Sequence, residues 1–153
     1  MDAYQRLKAR GLTLPKTPKP AGSYVPAKAC GDLLYLAGQG PTRPDGSWYV
    51  GKVGENVTIE EAYQHARVVG LTLLGIIHDT VGDLNRVEVI KLLGMVNAAP
   101  KFAEHPKVIN GCSDLLIDIL GEAGKHARSA VGMGSLPNGM TVEVEVILRV
   151  LPA

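Results

Sequence analysis

At 153 residues, 46% hydrophobic and 20% charged, the chain has the size and composition of one globular domain able to bury a core. No apolar run approaches bilayer-spanning length, and the charged opening MDAYQRLKARG lacks the apolar centre of a signal peptide. Cys30 and Cys112 are too few and too far apart for a disulfide framework or a thiolate metal cluster, which fits a reduced, cytoplasmic protein. The net charge of +1 hides an asymmetry: residues 1–20 hold five basic side chains against Asp2, leaving eleven basic and fourteen acidic for the rest. A basic leader on an acidic body with one Trp and one Phe does not make the aromatic-interleaved stripe that tracks phosphates. Neither a membrane nor a nucleic acid is the expected partner.

Residues 1–14 can form one short helix, followed by the proline-rich LPKTPKPAG linker, so 1–20 reads as an extension that docks on the 21–153 body or stays mobile. Two strands are predicted at Tyr24 to Cys30 and Leu33 to Ala37, joined by Gly31-Asp32. The glycine- and proline-rich 42–57 stretch has room for a short strand near Trp48 to Val50. Thr58 and Glu61 form a capping box before an apolar helical repeat over 59–80 that stops at Gly82. A strand from Arg86 to Val96 follows, then a helix opened by Pro106 and ending at Gly121 or Gly124, its first turn weakened by Asn110-Gly111. Ala127 to Met133 and Met140 to Leu151 read as the last strands, linked across Leu136-Pro137-Asn138-Gly139.

In the last strand Val142, Val144, Val146, Leu148 and Val150 alternate with Glu143, Glu145, Ile147 and Arg149. Two carboxylates on one face near a cationic partner, Arg128, are expected to mark a site. Two main helices with one apolar stripe each cover only one face of such a sheet. The other face keeps apolar residues beside its acids, so it calls for cover by further copies of the chain. The fold class is therefore α+β, a single sheet with two helices on one face.

Four stretches carry a family resemblance: SYVPA at 23–27, LYLAGQGP at 34–41, the 97–120 region with Asn110, and HARSAV…LP…VEVEV at 126–146. Together they resemble the YjgF/RidA family of enamine/imine deaminases, the last motif being the most specific. The resemblance implies a chorismate-mutase-like fold and a homotrimer with three sites at its subunit interfaces. It implies that Arg128 clamps a substrate carboxylate, for which the planar guanidinium fork is suited. It further implies that Glu143 positions or activates a water, that Tyr24 lines the pocket, that the Gly38 backbone approaches the ligand, and that Asn110 belongs to the site. Structural roles stand beside these: Arg128 paired with Glu143 or Glu145 within the sheet, Tyr24 as a strand aromatic, Asn110-Gly111 as a kink.

The chain departs from the family pattern at Ala37, in place of the usual serine, and at Ala130, in place of a frequent cysteine, leaving only the Ala130 backbone to shape the pocket. The leader and the long 42–57 loop resemble a longer branch of the family. No histidine pair has metal-ligand spacing, and no nucleophile elbow, P-loop or dinucleotide fingerprint is present, so no metal and no cofactor is implied. The expected activity is hydrolytic deamination of a small 2-enamine or 2-imine carboxylate such as 2-aminoacrylate, a form of metabolite damage control. The alternatives are a non-catalytic binder of 2-keto acids and, further off, a ribonuclease.

Overall fold

A computed structural model describes residues 1–153. Its elements in chain order are α1 (Ala3–Ala9), β1 (Ala27–Cys30), β2 (Leu33–Gln39), α2 (Ile59–Val81), β3 (Val87–Asn97), α3 (His105–Leu120), β4 (Ala127–Met133) and β5 (Val142–Val150). The strands form one mixed sheet in the order β1-β2-β5-β3-β4. Only β3 and β4 run parallel, as a strand–helix–strand crossover through α3 requires.

The alternation in β5 sets the layers. Val142, Val144, Val146 and Leu148 are buried against the helices, while Glu143, Glu145, Ile147 and Arg149 face the other way. β3 keeps its apolar residues on the helix side by a register shift between Val89 and Lys91. Val87 and Val89 precede it, and Leu92, Gly94 and Val96 resume the inward parity after it. This irregularity keeps the buried parity on the helix side at both ends of the strand.

The first long helix obeys its local signals. Thr58 Oγ1 accepts from the Glu61 amide at 3.1 Å, Glu61 Oε2 accepts from the Thr58 amide at 2.8 Å, and Gly82 ends α2 in the left-handed region at φ 84°. α3 runs unbroken through Asn110-Gly111, so the expected weak first turn does not appear. Glycine is needed there because a Cβ on Gly111 would overlap the Tyr63 carbonyl of α2, so the two helices meet backbone to backbone.

The leader docks on the body. Ala3 and Leu7 are 3% and 5% exposed within the main core, Tyr4 Oη receives the Leu84 amide at 3.0 Å, and Asp79 accepts from Thr17. The predicted strand near Trp48 to Val50 is reduced to isolated bridges, Thr42 to Trp48 and Val50 to Met140. There Tyr49 stacks on the His65 ring at 4.3 Å and Arg43 lies over Tyr49 at 4.6 Å. No helix is long and apolar enough to cross a membrane.

Candidate functional site

Arg128 stands on β4, the strand at one edge of the sheet. Its Nη1 donates to Asn110 Oδ1 at 2.8 Å and to Ser113 Oγ at 3.2 Å, and its Nη2 makes a long 3.5 Å contact to the Pro106 carbonyl. Asn110 and Ser113 are three apart on α3 and so share a helix face beside the strand. All three acceptors are neutral, and no carboxylate lies within ion-pair distance of the guanidinium. Of its five N–H donors, the Nε–H and one Nη2–H have no acceptor in the chain. Arg128 is thus a half-buried, positioned cation with an unused edge.

Glu143 occupies the opposite side of the sheet. It is half-buried, accepts no hydrogen bond from the chain, and its carboxylate lies against the Gly38 Cα, where a Cβ would overlap it. Burial chiefly, and the neighbouring Glu145 charge, push its carboxyl above the ordinary range. Tyr24 is 48% exposed and stands in the bend before β1, because pairing begins only at Ala27, after Pro26. Tyr24, Gly38, Trp48, Met140, Glu143 and Ile147 line one open cleft of about 1180 Å³, walled by the leader and the 42–48 loop.

These two groups do not meet within one chain, which corrects the expectation that Arg128 faces the β5 acids. Leu92 is the register partner of both Arg128 and Val146, so Arg128 shares the helix side with the valines. Met95, register partner of Glu143, lies on the open side with Val131 opposite it on β4. An ion pair of Arg128 with Glu143 or Glu145 inside the sheet is thereby excluded. Ala130 is on the Arg128 side, opposite Gly94 and packed against the core. Gly38 accommodates Glu143 in the single chain, and Asn110 holds Arg128.

Two polar residues were not singled out from the sequence as members of the site. Ser113 is 6% exposed, and its Oγ meets His126 Nε2 at 2.9 Å. Their signal was spacing alone: Ser113 one helical turn after Asn110, and His126 two residues before Arg128 on the same strand parity. No group of histidine, cysteine or acidic residues is arranged to hold a metal ion.

A mixed sheet backed by two long helices, with an unpaired arginine at one edge and a glutamate over a glycine on the open face, defines an α+β protein of the YjgF/chorismate-mutase type. The chain belongs to the YjgF/RidA family, since the family described as "YjgF/chorismate_mutase-like, putative endoribonuclease" matches residues 4–146. Protein TCP17 of Trypanosoma cruzi is 38% identical over 145 residues, covering 94% of this chain and 91% of that one. The crystal structure of Atu1372 from Agrobacterium tumefaciens, described as of unknown function, shares 40% identity with a TM-score of 0.87, covering 97% of this chain and 91% of that one. RidA from an Antarctic Psychrobacter is 26% identical with a TM-score of 0.62, covering 88% and 94%.

Proposed function

We propose that the protein hydrolyses small, reactive 2-imine carboxylates, reached from 2-enamines such as 2-aminoacrylate by tautomerisation, to 2-keto acids and ammonia. The observation that carries this reading is the Arg128 guanidinium, held by neutral oxygens with donors left over. A fixed guanidinium with a free fork suits a carboxylate in two parallel charge-assisted bonds.

In this reading two copies build each site. The Arg128 edge of one chain meets the Tyr24, Gly38 and Glu143 cleft of its neighbour in a homotrimer, with the Ala130 backbone shaping the pocket wall. Residues on opposite faces of one sheet can then act on one ligand, and the partly apolar open face is covered.

Glu143, as carboxylate, takes a proton from water as the oxygen bonds to the imine carbon. The resulting carboxyl gives that proton to the nitrogen, which has taken the C=N electron pair, leaving the neutral carbinolamine. Glu143, a carboxylate again, then removes the carbinolamine hydroxyl proton and passes it to the nitrogen as the C=O bond forms, the C–N bond breaks and ammonia leaves. Burial raises the basicity of the Glu143 carboxylate above that of a free one, which favours its taking the proton from water.

The test is Glu143→Gln assayed on dehydratase-generated imines beside pyruvate binding. Loss of turnover with binding retained is expected. Equal turnover by the variant removes Glu143 from the chemistry. A native protein that binds pyruvate yet hydrolyses no imine favours the non-catalytic alternative.

A further inference from the structure

Behind Arg128 lies a hydrogen-bonded line that the proposed chemistry does not use. His126 Nδ1 lies 2.6 Å from the Gly124 carbonyl, which can only accept, so Nδ1 carries the proton. In the neutral ring Nε2 then accepts, so the Ser113 hydroxyl donates to it across 2.9 Å. With its proton so committed, Ser113 Oγ presents a lone pair to Arg128 Nη1 at 3.2 Å. Every donor points the same way, from guanidinium to hydroxyl to imidazole to carbonyl, an order in which each bond polarises the next.

The far end of the line is rigid. Gly124 closes the short 3-10 turn at 121–124, and its Cα lies so close to the Leu116 carbonyl of α3 that a Cβ would overlap it. Burial holds the imidazole below its usual pKa, opposed by the bond to Gly124 and aided by the Arg128 charge, so the neutral tautomer persists at neutral pH. The Asn110 bond uses one Nη1 proton and the Pro106 contact is long, so the Ser113 bond, taking the second Nη1 proton at 3.2 Å, adds the stronger restraint on the plane of the guanidinium.

We propose that Ser113 and His126 are positioning residues that orient the Arg128 fork toward the substrate carboxylate. This rests on the reading of Arg128 as the carboxylate clamp. Neither residue touches substrate, so their removal weakens ground-state and transition-state binding alike, raising KM while sparing kcat.

The experiment compares native protein, Ser113→Ala, His126→Leu, His126→Gln and Arg128→Ala as full chains in their native assembly. It measures pyruvate binding by calorimetry, KM and kcat on 2-iminopropionate, and the thermal midpoint. His126→Leu is expected to weaken pyruvate binding and raise KM about five- to tenfold, the worth of one neutral hydrogen bond. Ser113→Ala should do so about tenfold or more, because its partner is the charged guanidinium, and both should keep kcat within about twofold. His126→Gln supplies an amide oxygen to accept from Ser113 and should stay within about twofold of native on both measures. Native affinity in both Ser113→Ala and His126→Leu overturns the proposal. So does a His126→Gln variant as weak as His126→Leu, which assigns the loss to packing. Failure of the clamp reading shows itself separately: Arg128→Ala would bind pyruvate as native does, and the proposal falls with it.

Discussion

At the residue scale, the proposed site rests on two ionisable groups treated in opposite ways. Arg128 is surrounded by oxygens and keeps its charge ready, whereas Glu143 lacks donors and resists ionisation. Replacing Arg128 by lysine keeps the charge but removes the planar fork, and the lost bidentate contact should cost about 2–3 kcal/mol, roughly 30–150-fold in turnover. Because its neighbours are neutral oxygens, Arg128→Ala should lose more activity while the thermal midpoint stays near native; a collapsed midpoint would make the arginine structural. For Glu143 the sign follows from its raised carboxyl: the stability it lends is complete below its unfolded pKa and is lost as pH rises through the folded value. Glu143→Gln should therefore raise the midpoint at neutral pH and leave it nearly native near pH 4, which melting curves across that range will show. The residue types at positions 128 and 143 could be read from the alternating strand and its preceding arginine. Their separation could not, because it depends on β3 lying between the two strands with Leu92 opposite Arg128, and register between non-adjacent segments leaves no trace in one sequence.

At the element scale, local signals decided most of the outcome. The capping box and Gly82 place α2 within a residue of its expected ends, and the period of two in β5 assigns its buried side without ambiguity. The short strand near Trp48 did not form as a strand, because the Arg43, Tyr49 and His65 side-chain stack organises that loop instead. Asn110-Gly111 reads as a flaw in an isolated helix and proves to be a close-packing device in a pair of helices. Gly111→Ala should accordingly cost about 1–3 kcal/mol by forcing α2 and α3 apart, visible as a lower denaturant midpoint with an unchanged slope. The leader is fastened by burial of Leu7 and by the Tyr4 hydroxyl. Removing residues 1–11 should leave a folded protein that is less stable by about 1–3 kcal/mol, the worth of one large buried aliphatic side chain. An unfolded truncation would make α1 indispensable to the core, and an unchanged midpoint would show its contacts to be neutral.

At the scale of the whole molecule, the open sheet face sets the expectation for assembly. Tyr35 and Val131 are 44% and 38% exposed there, beside half-buried Leu93, Met95 and Ile147. Light scattering at micromolar concentration should return three times the 16.2 kDa chain mass, and a stable monomer would leave the two halves of the proposed site apart. The need for cover was legible from Ile147 lying among acids. How copies meet was not, since no single-chain pattern encodes the geometry of a surface against its own copy.

The strand order carries a consequence for how the protein is made. β5 lies at the centre of the sheet, between β2 and β3, yet it is the last strand along the chain. Until residues 142–150 leave the ribosome, β2 and β3 have no common neighbour, and the valine side of the future centre strand is missing from beneath α2 and α3. The nascent chain can form its capped helices early, but closing the sheet waits for this late insertion, with long-range pairing to both flanks. A chain stopped after residue 140 should show helical circular dichroism without slow-exchanging sheet amides, a collapsed precursor awaiting its keystone strand.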